Sequence, residues 1–462
     1  MEKDFTKAIA YTAKILDLWL PLKIQYDRIP GLSVGIVYRG KLVYQKGFGY
    51  ADVSSKIPAT PKTCYRIASI SKTFTAVAIM QLVEQGKIRL DDRVDKHLPW
   101  FKIKSKRLDS SSITIRQLLS HTAGVFRDGD TPHWEDGKFP DIKGLQKSIS
   151  EKTLVFKNLT HFKYSNFGFA ILGQVIKEVT GSSYDNYVAK HIIQKLGMEN
   201  THPDFTQKIS QKLAKGYSRP IPGKDRRAFK HNVTKAYSSA AGFISNIPDL
   251  AKYLSALSFN KKRKNVLLSQ ASKKKMMREY QKTGEKNEVY GLGFNNYKIE
   301  RRKPTGHGGG FNGFITRIAL DTKNDLGVIT LSNSNDSTVP AINNGIFATI
   351  YRFVDKKNKY IKGKKLRNQE KYEGVYRSSW VDEVIVGADA NLIAFDSKTN
   401  SPLKEADLLK PKGKDTFVMK ANSNFDSSGE LAEFIFERGG KKASRLIWGS
   451  HPLERLKNSH GQ

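Results

Sequence analysis

The pattern of hydrophobic and polar positions predicts strands near both ends of the first 355 residues. Two β-rich runs, Leu32 to Tyr38 and Lys41 to Phe48, flank Arg39-Gly40, which is typical of a two-residue turn and predicts a hairpin. Two more runs, Phe314 to Leu320 and Leu326 to Leu331, predict a second pair of strands. With helices between the two pairs, the pattern predicts an α+β domain whose antiparallel sheet is assembled from both sequence ends.

Apolar residues at helical spacing occur between the two strand pairs and in the segments on either side of them. Residues Ala8 to Leu20 predict an amphipathic helix that ends at Pro21, because proline cannot donate a helical hydrogen bond. Thr73 to Val83 is so apolar that it predicts a buried helix, which is expected to end at Gly86. Further helices are predicted at 115–120, 167–179 and 339–354.

The composition changes abruptly after residue 355, where the chain becomes rich in lysine. This change predicts a first domain over 1–355 and a basic linker over 356–371. Beyond the linker, short β-like runs separated by glycine, aspartate and proline predict a small all-β domain over 372–457, with strands near 372–376, 383–386, 392–395, 416–420, 432–437 and 444–448.

Charge and cysteine content narrow the class of protein. The chain of 462 residues has 79 lysines and arginines against 44 aspartates and glutamates, a formal net charge of +35. Such a charge attracts polyanions, but the lysine runs lack interleaved aromatic residues, so no specific nucleic-acid partner is expected. Cys64 is the single cysteine and cannot form an internal disulfide.

The sequence shows no secretory leader, no membrane span and no metal or cofactor motif. Lys14 and Asp17 interrupt the first apolar stretch, and no apolar run approaches the roughly 18 residues needed to cross a bilayer. The ten histidines include no His-Glu-x-x-His pattern. We therefore expect a cytoplasmic protein that uses neither metal nor cofactor.

The first candidate chemical element is Ser69-x-x-Lys72 at the start of the apolar helix. Residues three apart share a helix face, so the serine hydroxyl and the lysine amine can meet, and a desolvated lysine could take the serine proton. The spacing itself is weak, since it recurs at Ser258/Lys261, Ser272/Lys275 and Ser401/Lys404. On spacing alone, a helix-capping role for Ser69 stays open.

Two further elements could complete a site. Tyr164-Ser165-Asn166 leads into a helix and offers a proton shuttle and an amide, although a core tyrosine beside a helix cap fits equally. The segment from Gly306 to Gly313 contains His307, and its glycines would let backbone NH groups approach an oxyanion. A flexible loop is the alternative. A dinucleotide fingerprint is excluded because a β-rich run, rather than a helix, follows the glycines.

Taken in this order, the three elements resemble those of the penicillin-recognising serine hydrolases, a group of class C β-lactamases, D-peptidases and esterases. Similar segments flank them at 118–124, 164–181, 240–245 and 290–294. The resemblance spans roughly residues 29–354. It implies a β-lactamase/transpeptidase-like fold, in which helices and an all-helical insert flank an antiparallel sheet.

The resemblance also implies roles for individual residues. Ser69 would be the acylated nucleophile, Lys72 its proton acceptor or electrostatic partner, and Tyr164 the base for serine and later for the deacylating water. Asn166 and Gly309 would bind substrate, and the NH groups of Ser69 and Gly310 would form the oxyanion hole. His307 stands where many members have lysine and would be a further catalytic residue, able to donate or relay a proton. His121 and Ser120 are expected to be structural.

The third motif departs from that of β-lactamases, which usually show Lys-Thr-Gly. His307-Gly308-Gly309 lacks the hydroxyl, so efficient β-lactam hydrolysis is not expected. The His-x-Gly form is closer to peptidase and esterase members. We therefore expect a serine hydrolase acting on peptide bonds, D-amino-acid peptides included, or on ester bonds. A catalytically silent member that binds peptidic or cell-envelope ligands is the alternative, and a β-lactamase is a lesser one.

The C-terminal region is similar to the lipocalin-like β-barrel appended to some of these hydrolases. Tyr372-x-Gly374-x-Tyr376 begins this similarity. In such proteins the barrel restricts the active site and contributes to oligomer contacts, so a homo-oligomer and a small peptide or ester substrate are the expected partners. A purely stabilising module is the alternative.

Overall fold

The computed structural model describes residues 2–104, 113–260, 266–355, 360–361, 363–420 and 427–456. Two compact units make up the chain: Pro30–Pro340 form one, and Met1–Ile29 together with Ala341–Gln462 form the other. The predicted domain boundaries were drawn from composition and stay a prediction. Residues 356–359 and 362 of the predicted basic linker, and 261–264 of the second lysine run, lie outside the described residues.

The α-helices are, in chain order, α1 Glu2–Tyr26, α2 Ser71–Glu84, α3 Val94–His97, α4 Ile115–Leu119, α5 His133–Asp136, α6 Ile142–Glu151, α7 Asn166–Thr180, α8 Tyr184–Val188, α9 Ile247–Leu257, α10 Gln270–Met277, α11 Val339–Val354 and α12 Pro402–Glu405. A 3-10 turn, Ala68–Ile70, precedes α2, and a π-helical turn, Ser238–Gly242, follows the 3-10 turn Lys235–Tyr237.

The strands of the larger unit are β1 Gly31–Tyr38, β2 Lys41–Asp52, β3 Ile57–Pro58, β4 Tyr65–Arg66, β5 Ile244–Ser245, β6 Gln281–Lys282, β7 Glu288–Tyr290, β8 Asn295–Tyr297, β9 Thr305–Phe311, β10 Phe314–Asp321 and β11 Leu326–Ser332. Those of the other unit are β12 Gly374–Arg377, β13 Asp382–Ala388, β14 Asn391–Asp396, β15 Asp407–Gly413, β16 Thr416–Lys420, β17 Leu431–Ile435, β18 Arg445–Trp448 and β19 His451–Arg455.

An antiparallel sheet forms the frame of the larger unit. In the described chain its strand order is β3-β2-β1-β11-β10-β9-β8-β7-β6. The strand β1 pairs with β11, from Leu32 opposite Ser332 to Tyr38 opposite Leu326, so the two sequence ends of the unit meet at the centre of the sheet. The predicted α+β class, with a sheet assembled from both sequence ends and helices between them, is confirmed.

The helices α2 and α9 show how the sequence determines the packing of the larger unit. Residues of α2 from Ser71 to Leu82 are all buried, which agrees with the apolar character that the sequence gives the helix on every side. The helix α9 packs on β1 at Gly35, where an added Cβ would lie 2.5 Å from the Ile247 side chain. Glycine at this position therefore allows the helix to lie close to the strand.

The glycine-rich segment is itself a strand. Residues 305–311 form β9, which pairs with β10 from Thr305 opposite Leu320 to Phe311 opposite Phe314. Its other neighbour, β8, pairs with it only at residues 305 and 306. Beyond this point, from His307 onward, the second edge of β9 is left without a pairing strand among the described residues, and Gly309 there faces the backbone of Ile67.

The C-terminal strands close into a barrel, as the resemblance implied. The described strands follow the order β12 to β19, and β19 pairs back with β12 through Arg455 opposite Tyr376. Aromatic and aliphatic side chains fill the interior, among them Tyr372, Phe417 and Phe434. The sequence analysis missed β15 and β19. Lys410-Pro411-Lys412 in β15 and Pro452 in β19 obscure the β pattern, because lysine and proline are depleted in strands.

The helix α1 belongs to the same unit as the barrel and corrects the prediction at Pro21. It continues through Pro21 to Tyr26, five residues beyond the proline. Trp19 and Leu20 are completely buried, and the Trp19 indole nitrogen donates to the carbonyl oxygens of Ser397 and Thr399 at 3.1 and 3.2 Å. Burial of this size offsets the loss of about 3 kcal/mol that an internal proline causes.

Candidate active site

Ser69 lies in the 3-10 turn that precedes α2. Ala68 before it adopts a left-handed backbone, φ 49°, although it is buried. The hydroxyl of Ser71 holds this turn by donating to the Ala68 carbonyl oxygen at 2.5 Å, while the NH group of Phe243 donates to the same hydroxyl at 3.0 Å. Ser69 is partly exposed between buried neighbours. A strained turn that presents a hydroxyl to solvent is typical of a nucleophile.

Lys72 lies one helical turn from Ser69, as the spacing predicts. Its Nζ is 3.0 Å from Ser69 Oγ, 2.7 Å from Asn166 Oδ1 and 2.8 Å from the Ala240 carbonyl oxygen. The side chain is completely buried. Burial lowers the pKa of Lys72 well below its usual value, and the nearby Arg127 adds to the effect, while Asp128 opposes it.

Asn166 is the first residue of α7, and both ends of its side-chain amide are engaged. Its Oδ1 accepts from Lys72, and its Nδ2 donates to Asp128 Oδ1 at 3.0 Å. The helix is capped one residue earlier, where Ser165 Oγ accepts from the NH of Gly168 at 2.8 Å. This cap fixes the start of the helix and thus the place of Asn166.

Tyr164 lies next to Ser69 on the other side of that cap. Burial of its hydroxyl raises its pKa, and a hydrogen bond with Ser69 only partly offsets this effect. The Lys72 ammonium position is 4.9 Å from the centre of the Tyr164 ring. The phenol is therefore neutral at ordinary pH, and a neutral phenol is a proton donor rather than a ready base.

His121 packs against the ring of Tyr164. The two rings lie 4.3 Å apart, and His121 Nδ1 accepts from the NH of Ser165 at 3.1 Å. Burial, with Lys72 second, lowers the pKa of His121 well below its usual value. A buried, uncharged ring that holds the backbone of the motif agrees with the structural role expected for His121. Ser120 is likewise buried, with its hydroxyl bonded to the Arg116 carbonyl at 2.9 Å.

His307 is buried and uncharged. Burial, with Lys72 as the second cause, lowers its pKa to about 3. Its Nδ1 lies 2.5 Å from the Gly308 carbonyl oxygen, so the proton sits on Nδ1, and Nε2 accepts from the Tyr290 hydroxyl at 3.0 Å. The histidine therefore brings no positive charge to the position where many related hydrolases have lysine.

The glycines of β9 bring this strand against the serine turn. A Cβ at Gly309 would lie 2.2 Å from the carbonyl oxygen of Ile67, and the hydroxyl of Thr316 donates to the same oxygen at 3.1 Å. Gly310 is exposed, and a Cβ there would meet only the tip of Ile315, at 3.6 Å. The exposed backbone of Gly310 is thereby held beside the serine turn, one residue beyond the contact with Ile67.

The fold brings the predicted site residues together, and it adds three that the sequence analysis did not assign. Ser69, Lys72, Tyr164 and Asn166 are joined by the contacts above, and the rings of Tyr164 and His307 lie 6.3 Å apart. The additional participants are the Asp128 carboxylate, the Ala240 carbonyl oxygen and the Tyr290 hydroxyl. Ala240 and Tyr290 begin two of the flanking segments that resemble the family, 240–245 and 290–294, whereas no local pattern marks Asp128, which the tertiary fold brings to the site.

The described residues also bear on metal binding and membrane insertion. Among them, no group of three or more histidine, cysteine, aspartate or glutamate side chains is placed to hold a metal ion. Nor is any of the helices described above both long and apolar enough to span a bilayer.

Comparison with known families and curated proteins shows which proteins this chain is similar to. The family model described as Beta-lactamase matches residues 22–350. "Protein flp" of Staphylococcus aureus strain MW2 is 31% identical over 328 residues, 71% of this chain and 64% of that protein. "Teichoic acid D-alanine hydrolase" of S. aureus strain NCTC 8325 / PS 47 is 30% identical over 253 residues, 54% of this chain and 60% of that protein. The chain thus spans less than two thirds of these relatives.

Solved structures share the fold over nearly the whole chain. The octameric penicillin-binding protein homologue from Pyrococcus abyssi superposes with a TM-score of 0.65 and 27% identity, covering 95% of this chain and 98% of that one. A structure named SurE gives a TM-score of 0.61 at 20% identity, with 98% and 99% coverage, and at that identity it is similar in fold alone.

Proposed function

Because the chain belongs to the beta-lactamase family and is a hydrolase of that family, we propose that it works through a covalent acyl-enzyme on Ser69. Its substrates are peptide or ester bonds, including bonds to D-amino acids. The observation that carries this proposal is the 3.0 Å approach of the buried Lys72 Nζ to Ser69 Oγ. The name of the relative called teichoic acid D-alanine hydrolase supports a bond to D-alanine as one substrate.

In this proposal Lys72 acts as a neutral amine, the form that its burial favours. Such an amine has two NH donors and one lone pair. The donors match the Asn166 Oδ1 and the Ala240 carbonyl oxygen, at 2.7 and 2.8 Å, and the lone pair is left to accept the Ser69 hydroxyl proton. As Ser69 Oγ bonds to the substrate carbonyl carbon, its proton moves to Lys72 Nζ, and the carbonyl electron pair moves onto oxygen.

The oxyanion formed in this way needs backbone donors. We assign the NH groups of Ser69 and Gly310 to this role, supported by the exposed backbone of Gly310 and the close packing of β9 on Ile67. Gly309 lines the same edge as a substrate-binding position. When the carbonyl re-forms, the bond to the leaving group breaks, and the leaving oxygen or nitrogen takes a proton.

Tyr164 is placed to pass that proton. Its neutral hydroxyl donates to the leaving group and is reprotonated from Lys72, so the lysine returns to its neutral form. In deacylation the protons move in the opposite direction. A water molecule loses a proton to the pair of Tyr164 and Lys72 as the water oxygen bonds to the acyl carbon, and Ser69 Oγ leaves with a proton. The raised pKa of Tyr164 favours Lys72, rather than a tyrosinate, as the first proton acceptor.

His307 argues against efficient β-lactam hydrolysis. With its pKa lowered to about 3, it is uncharged at neutral pH, and its Nε2 already accepts from Tyr290. It therefore offers no cation to the carboxylate of a penicillin. Its role in this proposal is to hold Tyr290 and β9 in place beside the site.

Labelling tests the class of activity directly. Wild type and Ser69→Ala are incubated separately with a fluorophosphonate and with a penicillin, and their intact masses are compared. We expect one fluorophosphonate adduct on wild type, none on Ser69→Ala, and no durable penicillin adduct. If wild type stays unlabelled by both reagents, the catalytically silent binding protein replaces the enzyme. Turnover of penicillin would instead establish a β-lactamase.

We also propose that the chain forms a homo-oligomer. The support is the similarity over nearly the whole chain to a protein described as octameric. The substrate itself is small, a peptide or an ester.

A further inference from the structure

A partly buried carboxylate, that of Asp128, lies at the wall of the site, one side chain away from Lys72. Asp128 lies in the loop between α4 and α5, and its Oδ1 accepts from Asn166 Nδ2 at 3.0 Å and from Trp134 Nε1 at 2.9 Å. His133 Nε2, which is completely buried, lies 3.6 Å from the same oxygen. These contacts all engage Oδ1 and hold the carboxylate in one orientation.

The second carboxylate oxygen has a much weaker partner. Oδ2 of Asp128 lies 3.4 Å from Nε of Arg127, whose side chain is 66% exposed, whereas that of Asp128 is 19% exposed. An ion pair with so exposed an arginine contributes about 0–1 kcal/mol, because solvent screens it and the long side chain loses freedom. A ligand cation can therefore displace Arg127 from Oδ2 at little cost.

The charge balance of the site favours a cation at this oxygen. Burial of the Asp128 carboxyl opposes ionisation, but its hydrogen bonds outweigh burial and lower its pKa, so it is ionised at neutral pH. Burial disfavours the charged forms of Lys72, His121 and His307, since it lowers the pKa of each. Asp128 thus brings a negative charge next to Asn166, and its partner Arg127 is exposed enough to give way to a ligand cation.

We propose that Asp128 Oδ2 binds a protonated amine on the acyl portion of the substrate, so that the enzyme selects aminoacyl esters and peptides whose N-terminal residue is the acyl group. Asn166 bridges Lys72 and Asp128, so the carboxylate lies one side chain away from the lysine that contacts Ser69, and the proposal extends the acyl group on Ser69 toward it. This inference rests on the proposed acyl transfer to Ser69, and it names the substrate class of that site.

A comparison of esters that differ only at the amine tests the proposal. The probes are the benzyl ester of alanine, its N-acetyl form and its N-succinyl form, each as the D and the L enantiomer. The measured quantity is kcat/KM for wild type, Asp128→Asn and Asp130→Asn. Asp130 is the matched control, because it is an exposed acid two residues away that pairs with Lys152. Fluorophosphonate labelling of Ser69 is followed in parallel.

We expect wild type and Asp130→Asn to prefer the free amine over the N-acetyl form by about 10- to 100-fold, the range of one charge-assisted hydrogen bond. In Asp128→Asn the ratio of kcat/KM for the free-amine ester to that for the N-acetyl ester should fall toward one. Because the ratio is taken within one variant, a general effect on Lys72 or on folding cancels. The preference should also decline above about pH 8, where an α-amine loses its proton.

Other outcomes overturn the proposal in distinguishable ways. If the N-acetyl or N-succinyl ester is the better substrate, or if Ser69 is labelled but the free-amine esters are not hydrolysed, amine recognition is wrong while the acyl-enzyme stands. If Asp128→Asn keeps the preference, another residue binds the amine. An equal loss on all three esters would make Asp128 a positioning residue only. Without labelling or hydrolysis, the proposed function itself fails.

Discussion

At the scale of single residues, the site depends on a lysine kept in a place that disfavours its charge. Lys72 is completely buried, so the charged form loses its hydration, and two carbonyl oxygens then fix the direction of its NH groups. Burial lowers its pKa, and the ionised Asp128, one side chain away, opposes the shift. Under the proposed mechanism, the balance of these two effects sets the pH at which Lys72 can accept a proton.

The pH dependence of wild type and the variant Lys72→Arg test this balance. Since Lys72 must be neutral to accept the Ser69 proton, kcat/KM should fall as the pH drops below the lysine pKa, and that limb should lie well below the usual value of 10.5. Lys72→Arg keeps the positive charge at every accessible pH and should lose about 100-fold or more in kcat/KM.

The matched control is Lys177→Arg, at an exposed position in the last turn of α7. It should retain the activity and the pH profile of wild type. An active Lys72→Arg enzyme would show that the lysine acts through its charge alone.

At the scale of elements, β9 links the sheet to the serine turn, and its glycines have different spatial requirements. At Gly309 an added Cβ would lie 2.2 Å from the Ile67 carbonyl oxygen and 2.5 Å from Thr316 Oγ1. At Gly310 a Cβ would meet only the Ile315 side chain at ordinary contact distance, 3.6 Å. The strand can approach Ser69 only because position 309 has no side chain.

The pair Gly309→Ala and Gly310→Ala should separate these requirements in thermal stability. Gly309→Ala pushes β9 away from the turn and should destabilise the larger unit by about 1–3 kcal/mol, as overpacking does. Gly310→Ala should melt within a few degrees of wild type, which calorimetry can measure. Equal melting temperatures for the two variants would contradict the close packing of β9 on Ile67.

The elements that the sequence predicted correctly are those in which local pattern and tertiary environment agree. The hairpin of β1 and β2, the buried helix α2, and the strands β10 and β11 all follow from periodicity and turn residues. The strand β9 did not, because glycine has low β-propensity and its pairing partner is what makes it a strand.

For the same reason, only part of the candidate site could be predicted from the sequence. Ser69, Lys72, Tyr164 and Asn166 lie at helix starts, where spacing and caps leave a mark in the sequence. Asp128 leaves none, since its contacts with Asn166 and Trp134 depend on the path of a loop.

The strand β13 carries an acid whose ionisation should weaken the barrel. Glu383 is on the same inward face of β13 as Ile385, and its partner on the neighbouring strand β14 is Asp396. Burial, followed by the charges of Asp396, Asp407 and Asp382, raises the pKa of Glu383 from 4.5 to about 8. The protonated form of Glu383 is therefore favoured in the folded barrel, because burial and the nearby negative charges disfavour the ionised form.

Replacement of Glu383 by glutamine should remove this pH dependence. In wild type, the contribution of Glu383 is fully present below about pH 4.5, declines as the pH rises, and is lost above about pH 8. We expect the melting temperature of the barrel in Glu383→Gln to exceed that of wild type at pH 8 but not at pH 5, as measured by calorimetry. Glu437→Gln, at an exposed position, should change neither value. A wild-type barrel more stable at pH 8 than at pH 5 would contradict the assignment.

At the scale of the whole molecule, the net charge of +35 opposes association of identical chains. Any homo-oligomer must overcome repulsion between its subunits, and salt reduces this repulsion, since the Debye length falls to about 8 Å at 0.15 M. Charge therefore makes the proposed oligomer dependent on ionic strength.

Light scattering coupled to size exclusion should detect this dependence. We expect a particle mass that is a multiple of 52.1 kDa, with the assembled fraction rising between about 0.02 M and 0.15 M salt. A particle of 52.1 kDa at every ionic strength would contradict the proposed oligomer. Dissociation on adding salt would show that ion pairs between subunits, rather than apolar contacts, hold it together.

The division of the chain into units also determines the order in which they can form during synthesis. The helix α1 is made first, yet the carbonyl oxygens that receive its Trp19 indole, at Ser397 and Thr399, are made some 380 residues later. Pro30–Pro340 lies entirely between them and can fold on the ribosome as soon as it has emerged. The unit that contains α1 must wait until the barrel strands have also been made. A nascent chain arrested after Pro340 has left the ribosome would thus hold a folded hydrolase core and a helix α1 still without its partners, an early target for chaperones.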